Sequence, residues 1–391
     1  MSCEGWKEVK LGDVIQFNPK LSLKKGTLYK KVTMQDLIPF ERKISGWSKE
    51  KFTGGARFEN GDTLLARITP CLENGKTAFV DILEQGEIGF GSTEFIVMRP
   101  KENITNEKFV YYLAISPNFR SVAIQSMTGS SGRQRVQLDL LKDTLFPIPP
   151  LEEQKEIVRI LSSIDDKIEL NHQINQDLEE MAQAIFKSWF VDFEPFRDGE
   201  FVDSELGPIP KGWRVVKLEE VIDIYDSKRI PLSKKQRKEC AGIFPYYGAT
   251  GIIDYVDDYL FDGIYILLGE DGSVINDKDR PFVQYVWGRF WVNNHAHVLK
   301  GKSHVTDELL YTFLKQVNIK PYITGAVQLK LNQKNMKKVP FLLPAVNVLD
   351  EIGEKFSSIF DLIRKNNEEN IILSNLRDTL LPKLMSGEIR V

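Results

Sequence analysis

The chain is 391 residues long, 27% charged and 42% hydrophobic, with a formal net charge of −3. That length exceeds one ordinary core, so two or more domains are expected, and the near-neutral balance excludes a uniformly basic nucleic-acid binder. No apolar run is long enough for a bilayer, and three scattered cysteines (Cys3, Cys71, Cys240) suggest neither a disulfide framework nor a metal cluster.

The opening MSCEGWKEVK has no apolar signal region, so a reduced cytoplasm is the expected location, without a membrane partner. GWKEVKLGDVI (5–15) is followed by SLKKGTLYKK (22–31), a basic run expected in a loop and carrying Lys24, Lys25, Lys30 and Lys31. FENGDTLLARI (58–68), KTAFVDIL (76–83) and TEFIVMRP (93–100) read as strands joined by turns. GFGST (89–93) is a lone glycine pattern outside any strand-to-helix context and gives little support for a cofactor site. EKFVYYLAISPNFRSVAIQSM (107–127) reads as helical. TGSSGRQRVQ (128–137) then places Ser130, Arg133, Gln134 and Arg135 on a small-residue loop, where Arg can fork onto phosphate or guanine and Gln onto adenine.

From Pro149 the pattern changes. Two prolines and Glu152, Glu153 and Glu156 suit a helix entry. Ile157, Leu161, Ile164, Ile168, Asn171, Asn175, Leu178, Ala182, Ile185 and Trp189 then alternate steps of four and three, the spacing of a coiled-coil seam. FEPFRDGEFVDSELGPIPKGW has the Pro, Gly and acidic residues of a surface linker, placed at 191–210.

The chain then repeats itself, with GWRVVKLEEVI (212–222) answering the opening. SKKQRK (233–238), with Lys234, Lys235 and Arg237, reads as a basic loop. FPYYGATG (244–251) sets Tyr246 and Tyr247 beside glycines. GIYILLGEDGSV (263–274), PFVQYVWGRFWVNN (281–294) and AHVLKG (296–301) read as strands, and TDELLYTFLKQV (306–317) as a helix. TGAVQLK answers the earlier TG loop with Gln328 and Lys330. HAH would put His295 and His297 on one strand face; no third ligand is evident, so a polar strand residue or DNA contact is favoured over a metal. A second seam follows: Ile352, Phe356, Ile359, Ile363, Asn366, Asn370, Leu373, Arg377, Leu380 and Leu384.

The layout is therefore A–h–A′–h′, and the charge follows it. Residues 1–149 sum to roughly +4 and 211–344 to about +5, while the remaining segments are acidic. A solvated surface explains any one basic run; their recurrence in both basic units points to nucleic acid. Antiparallel pairing of the two helices would set Asn171 against Asn370 and Asn175 against Asn366. Those four either specify register or are partly solvated positions without a role. Catalytic signatures are missing: there is no P-loop, no Asn/Asp-Pro-Pro-aromatic tetrapeptide and no acidic pairing of a metal-dependent nuclease.

GWKEVKLGDV with its repeat GWRVVKLEEV, FPIPPLEEQKEIVRILSSIDDKI, MAQAIFKSWFVDFEPF, SELGPIPKGW and LRDTLLPKLMSGEI carry a resemblance over essentially the whole chain. So do YYGATGIIDYV and NNHAHVL. Together they resemble the specificity subunit of Type I restriction–modification systems. The resemblance implies an α+β protein: two similar mixed α/β target-recognition domains (1–148 and 211–343), separated by helical spacer regions (149–190 and 344–391). The spacers would pair as an antiparallel coiled coil with an internal pseudo-two-fold repeat. It implies a non-catalytic chain reading a split sequence in double-stranded DNA. Such a chain docks two modification subunits, which bring S-adenosylmethionine for adenine-N6 methylation, and motor-nuclease subunits in the full complex. No cofactor or metal is expected on this chain itself. Arg377 where Ala182 sits, and Pro382 where Lys187 sits, make the two ends of the coil unequal. The competing readings are a self-contained modification enzyme, disfavoured by the missing motifs, and a coiled-coil scaffold whose globular units bind protein.

Overall fold

The computed structural model describes residues 5–130, 132–276, 278–325 and 328–391. It divides into two compact units, Met1–His172 with Asn367–Val391, and Gln173–Asn366. Each unit joins one globular region to parts of both long helices, Leu151–Phe190 and Val346–Met385.

In the first unit a central antiparallel sheet runs in the order Ile15–Phe17, Phe95–Pro100, Thr63–Ala66, Thr77–Phe79. Its middle strands are apolar on both faces because both faces are buried. Ile96, Met98 and Leu65 join the core that holds Phe109, Tyr112, Phe119, Ile157, Leu161, Leu381 and Leu384. Phe95, Val97 and Leu64 alternate to the other side and meet Val32 and Phe58 of a second sheet. That sheet runs Ser48–Lys51, Leu28–Val32, Gly89–Gly91, Ala56–Phe58, with its middle pair parallel. The GFG run is part of this packing. A Cβ on Gly91 would lie 2.5 Å from the Val32 carbonyl oxygen, and one on Gly89 would lie 2.3 Å from the Phe58 ring.

The second unit repeats this plan strand for strand. Its central sheet runs Ile222–Ile224, Ala296–Gly301, Tyr265–Gly269, Val283–Val286, all antiparallel. Its second sheet runs Ile252–Val256, Ala241–Tyr247, Arg289–Val292, Phe261–Asp262, again with a parallel middle pair. A two-stranded ribbon closes each globular region: Lys7–Lys10 with Leu145–Ile148, and Arg214–Lys217 with Pro340–Leu343. The larger core of this unit takes in Ala182, Phe186 and Phe190 from one long helix and Ile352, Phe356 and Phe360 from the other. The helices are thus integral to the globular cores, and their burial is hydrophobic stabilisation shared with the sheets.

Several local expectations are corrected. The helix expected over 107–127 is two, Glu107–Ile115 and Pro117–Gln125; Pro117 has no N–H to continue the first, and Ser116 caps the second. SKKQRK is not a loop but the helix Lys234–Glu239. Its capping box has Ser233 Oγ accepting from the Gln236 amide and Gln236 Oε1 accepting from the Ser233 amide. Residues 28–31 of the other basic run lie in the strand Leu28–Val32. The run 281–294 is two strands in different sheets, Val283–Val286 and Arg289–Val292, with Gly288 at φ +77° between them. The segment 191–210 is no bare linker. Phe193 and Phe196 meet Trp213 edge-on at 5.7 and 5.0 Å, and Phe201–Val202 pairs with Ile209–Pro210. Among the described residues no helix is long and apolar enough to cross a membrane.

Candidate nucleic-acid interface

In the first unit, Lys24 and Lys25 are exposed on the loop entering Leu28–Val32, with no side-chain partner among the described residues. Lys30 turns inward instead: its Nζ donates to the Ile82 carbonyl at 2.8 Å and lies 3.1 Å from Glu87. Lys31 pairs with Glu50 at 2.9 Å on the rim of a recess of about 380 Å³, which Lys51 also lines. A neighbouring recess of about 360 Å³ is lined by Asn18, Arg57 and Arg67, and both recesses include Gly55 and Thr93. The next residue, Glu94, accepts from Arg135 Nη2 at 2.7 Å and from its Nε at 3.0 Å. Those bonds from Arg135 hold the Glu94 carboxyl below its usual range. Arg67 makes no side-chain hydrogen bond among the described residues. Ser130 and Arg133 are exposed, and Gln134 is half-buried. Cations and one oriented carboxylate are therefore gathered beside Thr93 at these recesses.

In the second unit, Lys234 and Lys235 are exposed on their short helix. Arg237 is occupied by Asp254 at 3.0 Å and the Leu232 carbonyl at 2.7 Å, and lies over the Tyr246 ring. The Tyr246 ring is buried and its hydroxyl accepts from the Leu232 amide at 2.9 Å. Tyr247 packs edge-on against Phe290, and burial pushes its hydroxyl up to about 12. The strand begins at Ala296, so His295 and His297 do not share a strand face. His295 is half-exposed and pairs with Asp271. His297 is fully buried, with Nδ1 at 2.6 Å from Asp226 and Nε2 at 2.7 Å from the Leu331 carbonyl. Gln328 and Lys330 are exposed, the latter 3.5 Å from Glu270. Lys30, Tyr246 and His297 are thus committed to the interior, where no DNA can reach them, and leave the candidate set.

Asp226, Glu270 and His297 bring three possible metal-ligand atoms within 4.8 Å of one another. Their charge is already met by protein: Arg229 reaches Glu270 at 2.8 Å and Asp226 at 3.4 Å, and Gln333 donates to Asp226 at 2.5 Å. Burial alone would raise the Asp226 carboxyl; the bonds from His297, the Val298 amide and Gln333 outweigh it and hold the group low. The arrangement is an ion-pair core, with its cationic place taken by a guanidinium.

The helix seam is apolar except at its middle and at Arg377. Ile157, Leu161, Ile164 and Ile168 are buried in the first unit; Ile352, Phe356, Ile359 and Ile363 are buried in the second. Leu178, Ile185, Leu373 and Leu380 are half-buried. Asn171 Nδ2 donates to Asn370 Oδ1 at 2.8 Å, and Asn366 Nδ2 donates to Asn175 Oδ1 at 2.9 Å. In the first unit Asp165 meets Arg377 and Asn171 meets Asn370, and in the second Asn175 meets Asn366 and Lys355 lies over the Trp189 ring, so the pairing is antiparallel in each unit.

Residues 3–180 and 210–373 match the model of the Type I restriction modification DNA specificity domain, in two copies. The chain belongs to this family. It is 29% identical to the Type I restriction enzyme MjaIX specificity subunit of Methanocaldococcus jannaschii, over 75% of this chain and 71% of that one. It is 25% identical to the HindI specificity subunit of Haemophilus influenzae, over 98% of this chain and 99% of that one. The fold is also that of the crystal structure of the S subunit of a Type I restriction–modification system from M. genitalium. There the TM-score is 0.54 at 16% identity, covering 97% of this chain and 96% of the other.

In this specificity-family chain, the groups that clamp each recognition domain to its helices were not visible as motifs. Arg42 reaches Asp166 at 2.5 Å and Glu169 at 2.8 Å. Arg377 reaches Asp165 at 3.0 Å, and the Tyr112 hydroxyl donates to the same carboxylate at 2.7 Å. Relative to the Arg42 clamp, the polarity in the second unit is reversed. Arg364 of the long helix reaches Glu308 at 3.3 Å, and the Tyr285 hydroxyl donates to Glu308 at 2.8 Å. The only hint in the sequence was Arg377 standing where the repeat has Ala182.

Proposed function

We propose that this chain reads a bipartite DNA sequence for a Type I restriction–modification complex, one half-site per unit. The duplicated strand plan, each copy built onto the same pair of 40-residue helices, is the observation that carries the reading. A helix of that length extends about 60 Å, more than one duplex turn of roughly 34 Å, so it suits a spacer between two half-sites. Exposed Lys24, Lys25, Arg133, Lys234 and Lys235 supply phosphate contacts, which position a protein without specifying sequence.

The chain docks two adenine-N6 methyltransferase subunits and, in the complete enzyme, motor-nuclease subunits. S-adenosylmethionine is held by the modification subunits, and this chain contributes no catalytic group. The test is a base-resolution methylation map after co-expression with the cognate modification subunit in a host lacking adenine methylation. A split motif around a fixed unread gap is expected. A continuous motif would remove the two-reader arrangement, and no methylation from a soluble, assembled complex would remove DNA reading.

A further inference from the structure

The two units share more than strand order. They share a small backbone frame on which three chain segments converge. In the first unit the Arg67 amide donates to the Glu94 carbonyl at 2.8 Å, and the Val136 amide donates to the Arg67 carbonyl at 3.0 Å. In the second unit the Glu270 amide donates to the His295 carbonyl at 2.8 Å, and the Leu331 amide donates to the Glu270 carbonyl at 2.8 Å. Thr128 and Arg135 exchange both backbone hydrogen bonds, and so do Thr324 and Lys330. Bridges Ile68–Arg135 and Asp271–Lys330 complete the match. Each frame starts from the same Thr-Gly turn, with Gly129 at φ +130° and Gly325 at φ +94°.

On this common frame the side chains differ. Arg67, Glu94 and Arg135 in one unit stand where Glu270, His295 and Lys330 stand in the other. A purely structural frame would keep its side chains alike or bury them. Here the Arg135, His295 and Lys330 side chains are 42%, 49% and 48% exposed. Arg135 is oriented by Glu94 and His295 by Asp271, while Lys330 lies 3.5 Å from Glu270. Glu270, by contrast, is held by Arg229 and is not free to read. Identical backbone with divergent, oriented and exposed donors and acceptors is what two readers of different sequences need.

We infer that these equivalent positions carry the direct base readout, Arg135 with Glu94 for the first half-site and His295 with Lys330 for the second. The inference rests on the proposed DNA-reading function and assigns that function to particular atoms. Arg135, held by Glu94, presents its remaining N–H groups as a fork to guanine O6 and N7, and Glu94 is placed to accept from the N4 amino group of the paired cytosine. The first half-site therefore contains a G·C pair read by this couple. Arg67, whose buried Nε has no hydrogen-bond partner among the described residues, adds a second donor from the wall of the recess beside Thr93. The lysines outside the frame touch phosphate.

The test is the methylation map of complexes carrying Arg135→Ala, Arg135→Lys or Lys330→Ala, each compared with the wild-type complex. Arg135→Ala and Arg135→Lys are expected to make one G·C position of the first half-site degenerate, by roughly five- to 150-fold in discrimination, with the second half-site untouched. Lys330→Ala is expected to do the converse. Unchanged motifs in the Arg135 variants overturn the inference while leaving a split wild-type motif, and hence the DNA-reading function, standing. A wild-type complex that methylates no split motif overturns the function itself. Uniform loss of methylation in both Arg135 variants, with the complex assembled, moves Arg135 to the phosphate contacts and overturns the assignment. Failure of both variants to assemble makes the ion pair structural and overturns it equally.

Discussion

Asn171 and Asn370 meet at the middle of the helix pair, amide to amide, with Nδ2 of one 2.8 Å from Oδ1 of the other and Asn171 fully buried. Glu369 also accepts from Asn171 at 2.8 Å, and Lys167 lies 3.1 Å from Glu369. Because Asn171 Nδ2 is the donor that Asn370 Oδ1 accepts from in a buried position, removing one partner is worse than removing both. Asn171→Leu alone should cost about 1–3 kcal/mol by stranding the Asn370 Oδ1 acceptor. Asn171→Leu with Asn370→Leu should recover most of that loss. Urea titration of the single and double variants checks it, and additive losses would mean that the pair is uncoupled.

Arg377 and Asp165 form an ion pair with both side chains nearly fully buried. Breaking it leaves a lone buried charge, so Arg377→Met should destabilise by roughly 3–5 kcal/mol. Arg377→Met with Asp165→Leu should be far milder, because no charge is left behind. Ala182→Leu, at the repeat position in the other unit, should instead destabilise by overpacking, by about 1–3 kcal/mol. Thermal melts of the three variants separate the two mechanisms.

Asp307 opens the helix Asp307–Gln316, where burial pushes its carboxyl up to about 6 despite the bond from the Gly301 amide at 2.7 Å. A folded-state value above the unfolded one means that the folded protein holds this proton more tightly. The contribution to stability is therefore complete below about pH 4 and is lost as pH rises to about 6, roughly 3 kcal/mol at most. Asp307→Asn should flatten that slope and leave the variant more stable than wild type at pH 7. Melting both proteins from pH 4.5 to 7.5 reads the difference directly; parallel curves would remove Asp307 as its source.

Lys24 and Lys25 lie in a loop with no side-chain partner among the described residues. As phosphate contacts they carry counterion release. Changing each to Ala should therefore lower the slope of log affinity against log salt by about one in the assembled complex. The methylated motif should stay the same. A changed motif with an unchanged slope would make them base readers.

Inserting seven residues at matched seam positions of both long helices keeps the apolar register and adds about 10.5 Å, or roughly three base pairs. The methylation map of that variant should show the same two half-sites with a gap about three base pairs wider. An unaltered gap would mean that the helices do not set the spacing.

Much of this protein was legible in its order of residues. The returning GWKEVKLGDVI run, the four-three spacing and the four seam asparagines declare two similar units and two paired helices, because period and repetition are properties of sequence. The facing of Asn171 with Asn370 follows from the same arithmetic once the pairing is antiparallel. What a basic residue does is another matter. Lys24 and Lys30 sit six positions apart in one run, yet one is in solvent and the other is bonded to the Ile82 carbonyl. His295 and His297 part company in the same way, and Arg135 finds Glu94 41 residues back in the chain. Long-range pairing of charges has no period, since it depends on where separate strands are brought together by burial of their apolar faces. Only the packed sheets could distinguish a cation held by the core from one offered to a partner.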